Sequence, residues 1–414
     1  MISVNASSCA VDNPKLGTLV RIQSGVGFPH AYQGKRDGTV PFYKVGSLAK
    51  VGCDGTIQDD RHSVEPGVVE KLGAKIIPAG STLLAKIGAA LLLGRFVPTS
   101  KDCCIDNNML ALIPGPQIHD RFLAYACSLI DVATLERSGP VPTLDVEGLR
   151  QFRIPLPGLD TQRAIADYLD RETAEIDAMT ADLDQMEALL TERRGSIVRA
   201  HLLPEGQEYT RVKLKAAVSL GKTVQSKQKN AKEVQRNYVR AAHIQPHGRL
   251  ALDEQPMWFT TSELEQLSLR ANDVLVVEGG AGYGRSVVLK EDLPEWGFQN
   301  HVIRVRPNPG VVGEFIHYTF LAHYDARLID LLADGATIPA LSSDKARELP
   351  ILSVDEPCQR KIVDIVERET SEIDAMLADI TELRDRLAER RGALIAAAVT
   401  GQIDIPAAEE TIHD

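Results

Sequence analysis

Two stretches of this 414-residue chain read almost as one: QRAIADYLDRETAEIDAMTADL at Gln162–Leu183 and QRKIVDIVERETSEIDAMLADI at Gln359–Ile380. The second follows the first by 197 residues, and from Gln162 to Ala200 about 20 of 39 positions are identical with no gap. Neither Gly nor Pro occurs from Gln162 to Arg194 or from Gln359 to Arg391, as an uninterrupted helix requires. Apolar residues recur on a heptad. In the first copy Leu169, Ile176, Leu183, Leu190 and Ile197 take one position, and Ile165, Met179, Met186 and Ala200 the other. In the second copy Val366, Ile373, Ile380, Leu387 and Leu394 match the first set, and Ile362, Met376, Leu383 and Ala397 the second. A sustained 3.5-residue period predicts a helical partner for each, and the obvious partner is the other copy. Over 39 residues such a rod spans roughly 60 Å. Charges interrupt one seam position of each copy: Glu172 and Arg193, Glu369 and Arg390. An antiparallel pairing centred near Leu183 and Ile380 brings each Glu toward the other helix's Arg, whereas a parallel one sets Glu against Glu. A coil that frays there, one that faces another protein, and a dimerisation coil between chains are the competing readings.

Outward from the helices the repeat weakens but persists. Lys15-Leu16 and Lys213-Leu214 open short strand-like runs, and Tyr43-Lys44-Val45 and Tyr238-Val239-Arg240 follow as alternating strands. Gly80–Ile87 answers Asn272–Gly279, and Asp106-Asn107-Asn108 answers Gln299-Asn300-His301. Gly139–Leu144 answers Gly335–Leu341 before a Pro-bearing lead into each helix. A period this long exceeds the 20–50 residues of solenoids and means a duplicated domain pair. The expected fold is α+β: two mixed α/β domains on a common frame (1–157 and 204–352), each followed by a long helix (158–203 and 353–403), the helices pairing as an antiparallel coiled coil with pseudo-twofold duplication, and a tail at 404–414.

Net charge is −11, which at first argues against a nucleic-acid binder. Its distribution removes the objection. Residues 1–157 sum to +2 and 204–352 to 0, while 158–203 sum to −5 and 353–414 to −8. No window reaches the roughly 18 apolar residues of a membrane span, and Met1–Ala10 lacks the basic start of a secretory signal. The six cysteines form no zinc or CxxC spacing, so free thiols in a reducing cytoplasm are expected.

Domain, helix, domain, helix resembles the DNA-specificity subunit of type I restriction-modification systems. The residues that carry the resemblance are the Pro-rich strand, the Gln-Arg after it, Glu-Ile-Asp in the helix and Glu-Arg-Arg at its end. They occur as Gln162-Arg163 with Glu175-Ile176-Asp177 and as Gln359-Arg360 with Glu372-Ile373-Asp374, closing at Glu192–Arg194 and Glu389–Arg391. The likeness covers about residues 14–403. It implies two target-recognition domains that each read half of a split, asymmetric DNA site. It also implies helices that space them and dock two modification (adenine methyltransferase) subunits, which restriction (ATP-dependent translocase) subunits then join. No cofactor is expected on this chain; S-adenosylmethionine, ATP and Mg belong to the partners. Two short base runs at a fixed gap also make physical sense, since one bidentate contact discriminates by only about 1–3 kcal/mol and linkage multiplies weak readers.

Candidate DNA contacts are Lys44, Lys86, Arg95, Asn107, Asn108, Lys222, Lys227, Lys229, Tyr283, Arg285, Gln299 and Asn300. Lys222–Lys232 is a polar loop with four lysines, suited to phosphates, or simply a solvated surface loop. Asn and Gln pair with adenine, but before a strand they equally serve turns. Gly279–Gly284 lacks the Lys-Ser/Thr and helix of a nucleotide cradle; a tight loop bringing Tyr283 and Arg285 to DNA and a plain hairpin turn both fit. The ten histidines form no metalloprotease or nucleophile pattern, and no methyltransferase Asn-Pro-Pro-Tyr motif or P-loop is present, so a non-catalytic chain is expected. The competing class is a coiled-coil adaptor whose domains bind protein or saccharide; it predicts no salt-sensitive, sequence-selective DNA binding.

Overall fold

The computed structural model describes residues 12–52, 54–137, 139–223, 227–280, 282–329, 340–403 and 405. The chain divides into two compact units, residues 1–183 with 382–414, and residues 184–381. Each unit thus holds one globular domain, half of one long helix and half of the other.

The first unit is built on an antiparallel four-stranded sheet in the order Val20–Ser24, Met109–Pro114, Thr82–Ala85, Val97–Pro98. Met109–Ile113, MLALI, is buried throughout; an unbroken apolar run is what a strand covered on both faces needs. A second, three-stranded sheet sets Val40–Tyr43 between Ser63–Val64, antiparallel, and Cys104–Ile105, parallel. The second unit repeats this. Its four strands run Ala216–Leu220, Val302–Pro307, Val274–Val277, Ser286–Val288, and its three run Met257–Phe259, Val234–Val239, Trp296–Phe298, again with one parallel pair.

The two long helices are Leu159–Leu202 and Glu356–Val399. Within the first unit Ile165, Ala166 and Leu169 share one core with Ile395, Ala398 and Val399. Within the second, Val198 and Leu202 share one with Val363 and Val366. In each unit the start of one helix therefore lies beside the end of the other, which is antiparallel pairing.

The seam departs from the heptad in two ways. Leu169, Ile176, Val366, Ile373, Ile380 and Leu387 are buried, and Leu183 and Leu190 half-buried. Met179 and Met376, however, are 49% and 48% exposed, so away from the buried Ile165 the second heptad position lies on an open flank. Toward the helix ends the buried residues are Val198 and Ile395, not Ile197 and Leu394. At about 100° per residue, a position 29 residues after Leu169 falls within about 20° of it and a position 28 after falls about 80° away. A straight helix thus carries the contact one residue along. The same drift corrects the charge pairing. Arg193 and Arg390 are exposed, while Arg194 donates to Asp374 at 2.6 Å and Arg391 donates to Asp177. Glu369 meets His201 at 3.1 Å instead of an arginine.

The two repeated glutamines are buried latches. Gln162 accepts from the His119 amide and donates to the carbonyls of Gln117 and Pro157; Gln359 accepts from the Val312 amide and donates to Val354. Each fixes a long helix to the start of the domain helix, Asp120–Ser128 or Gly313–Asp325. The Thr143–Leu144 lead-in forms a short strand, whereas its counterpart at 335–339 lies outside the described residues, as does most of the tail at 404–414. Cys103, Cys104 and Cys127 are buried free thiols and Cys358 a half-buried one; Cys9 and Cys53 lie outside the described residues. Among the described residues no helix is long and apolar enough to cross a membrane.

Candidate nucleic-acid interface

The shared frame places the candidate residues at matching points of the two domains. In the first, a parallel bridge joins Val26 to Asp106; in the second, one joins Lys222 to Gln299. Immediately before each sits a glycine that nothing larger can replace. A Cβ on Gly25 would lie 2.1 Å from the Asp106 carbonyl oxygen, and one on Gly221 would lie 2.2 Å from that of Gln299. The Lys86 amide donates to Asn108 and its carbonyl accepts from Leu144; the Glu278 amide donates to His301 and its carbonyl accepts from Leu341. Leu83 pairs with Val97, and Leu275 with Val287. Asn107 thus corresponds to Asn300, Lys86 to Glu278 and Arg95 to Arg285. Lys44 corresponds to Arg240, which the sequence did not single out. Each is the residue before a tight turn closed by a side chain, Ser47 accepting from the Lys44 amide and His243 from that of Arg240.

At these matched points the domains differ in chemistry. Lys44 donates to Gln33 at 3.0 Å, while Arg240 holds Asp253 with two bonds of 2.6 and 2.8 Å. Burial lowers the pKa of His243 against the pull of that same Asp253. Lys86 is half-buried and Glu278 pairs with His301 at 3.3 Å. Arg95 and Asn107 are exposed, and Asn108, Gln299, Asn300, Tyr283 and Arg285 half-buried. Turn chemistry is present: the Asp106 carboxylate accepts from the Asn108 amide at 2.9 Å, although burial raises its pKa.

The Lys222–Lys232 loop splits. Lys227 and Lys229 are exposed. Lys222 is drawn into the fold instead, donating to Glu263 at 2.7 Å with its ammonium 5.4 Å from the Phe259 ring. Burial alone would raise the Glu263 pKa; the Lys222 bond and the Thr260 amide hold it below the usual range. Lys222 is thereby corrected from a phosphate contact to a structural ion pair. Residues 224–226 of this loop lie outside the described ones. Tyr283 packs edge-on against Tyr324, and Arg285 lines a cavity of about 270 Å³ with Glu187, Thr191, Arg194 and Asp325. In this arrangement the glycine-rich turn faces the long helix of its own unit. Among the described residues no cluster of His, Cys, Asp and Glu could hold a metal ion.

Residues 11–188 match the type I restriction modification DNA specificity domain. No curated protein matches the sequence. Among solved structures, one described as the structural basis of complex assembly and conformational transition of the type I restriction-modification system is 15% identical, with 95% of this chain and 98% of that one covered and a TM-score of 0.54. The S subunit from M. genitalium is 15% identical over 98% and 99%, TM-score 0.38. The HsdS subunit from Thermoanaerobacter tengcongensis is 14% identical over 96% and 98%, TM-score 0.42. Over residues 11–188 the chain is thus similar to the DNA-specificity domains of type I restriction-modification systems.

Proposed function

We propose that each domain reads one half of a split, asymmetric DNA site, and that the paired long helices space the two readers and dock the modification subunits. The observation that carries this reading is the identical frame with divergent chemistry: Gly25 and Gly221 hold the same crowded turn, while the groups beside it are Lys44 and Lys86 in one domain and Arg240 and Glu278 in the other. A common scaffold with exchanged polar groups is what two half-sites of different sequence require.

Docking is supported by the helices themselves. Met179 and Leu383 in the first unit, and Met186, Leu189 and Met376 in the second, are between 45% and 59% exposed. Flexible, apolar methionines on an acidic helix surface suit a protein partner. The chain itself is assigned no catalytic step; methyl transfer, ATP hydrolysis and cleavage fall to partner subunits acting in the cytoplasm. The test is methyl transfer by the full chain with S-adenosylmethionine and duplex DNA, with and without its modification subunits. Transfer only in their presence is expected, and transfer by the chain alone would overturn the assignment.

A further inference from the structure

The basic loop at Lys222–Lys232 follows Gly221 and precedes the strand Val234–Val239. Its counterpart, after Gly25 and before Val40–Tyr43, is the segment Val26–Thr39. The two sequences share nothing that would align them, yet this segment also carries cations: His30-Ala31-Tyr32-Gln33-Gly34-Lys35-Arg36. His30, Lys35 and Arg36 are exposed, and neither Lys35 nor Arg36 makes an ion pair among the described residues.

The segment is held rather than loose. Phe28 stacks on Phe42 with ring centroids 3.8 Å apart. Gln33 donates to the Phe28 carbonyl and accepts from the Lys44 ammonium. The Gly34 amide donates to His62 Nδ1 at 2.8 Å, so the neutral imidazole carries its proton on Nε2. The Ser63 amide donates to the Lys35 carbonyl at 2.7 Å, and the Lys35 ammonium sits 5.8 Å from the Tyr32 ring. Backbone and aromatic groups are fixed while the cations point to solvent. That combination positions charge without the cost of ordering the backbone on binding.

We propose that His30–Arg36, braced by Lys44 and His62, is the phosphate-backbone contact of the first domain, the counterpart of Lys227 and Lys229 in the second. This rests on the reading of the chain as a DNA-specificity subunit. It adds a surface in the first domain that the repeat in the sequence does not reveal.

The experiment uses the full chain with its modification subunits, a duplex bearing its mapped methylation site, and an unrelated duplex, across a salt series. The variant is Lys35→Gln with Arg36→Gln; Lys71→Gln, an exposed lysine elsewhere in the domain, is the control. Two lost contacts should flatten the slope of log affinity against log salt by about 1.8. Affinity for both duplexes should fall by the same factor, with the thermal midpoint unchanged and the Lys71 variant behaving as the parent. An unchanged slope in a complex that still prefers its site overturns the proposal, as does an equal loss from Lys71→Gln. A parent complex with no preference for its site would instead sink the underlying reading, and the proposal with it.

Discussion

Arg194 donates to Asp374 at 2.6 Å, and Arg391, 197 residues after Arg194, donates to Asp177, 197 residues before Asp374. The repeated Glu-Ile-Asp and Glu-Arg-Arg motifs are thus two halves of one device used twice, each closing a long helix against the opposite end of its partner. The Arg194 side chain is 9% exposed and that of Asp374 41%. Arg194→Ala should destabilise the second unit by about 1–3 kcal/mol. The exchange Arg194→Asp with Asp374→Arg should recover part of the loss, read by urea unfolding of the full chain. No recovery would mean that packing, not the ion pair, carries the site.

The glutamine latches make a sharper demand. Gln162→Ala leaves one buried amide and two carbonyls without their partner, at a cost of about 1–3 kcal/mol. Gln162→Glu keeps the volume but loses the donors, so it should be no better than Ala near neutral pH. Thermal unfolding checks both, and a Glu variant as stable as the parent would contradict the hydrogen-bond assignment.

The loop at 222–232 should divide by function. Lys227→Ala with Lys229→Ala should flatten the salt slope of DNA binding by about 0.9 per lost contact and leave stability unchanged. Lys222→Ala should leave the slope alone and lower the unfolding midpoint, because it strands Glu263.

His317 gives a pH dependence. Burial, reinforced by the charges of Arg194 and Lys290, pushes its pKa down to about 3, and it shares a hydrogen bond of 2.9 Å with Ser286. The unfolded chain takes up a proton near pH 6.5 and the folded one does not. Its contribution to stability is therefore intact above about pH 6.5 and is lost as pH falls toward 3. Between pH 7 and 5 the unfolding midpoint of the parent should drop more than that of His317→Gln; equal drops would refute the assignment.

The duplication and the helices were legible in the sequence, because both rest on period and local propensity; their antiparallel sense was read from a pairing of Glu172 and Glu369 with Arg390 and Arg193, in whose place the fold has Arg194 with Asp374 and Arg391 with Asp177. What escaped was whatever depends on contacts remote in sequence. The seam drifts by one residue because helical twist accumulates over eight turns, so Val198 and Arg194 replace Ile197 and Arg193. Lys222 looks free in the chain but meets Glu263, 41 residues away. Arg240 was passed over because its match to Lys44 is one of position in a turn, not of neighbours. The segment His30–Arg36 was hidden because the two domains diverge between frame points such as Gly25 and Gly221.

The most direct test replaces residues 208–353 by residues 12–156, cut at the equivalent contacts in which the Ser353 amide donates to the Glu208 carbonyl and the Leu156 amide donates to that of Asp12. Methylome sequencing then compares cells producing the parent or the graft together with the modification subunits. The parent should methylate two different base runs separated by an unspecified gap. In the graft one run should be unchanged and the other should become a copy of it. A graft that is active yet keeps the parental site, or a parental site that is one continuous run, would contradict the claim that each domain reads its own half.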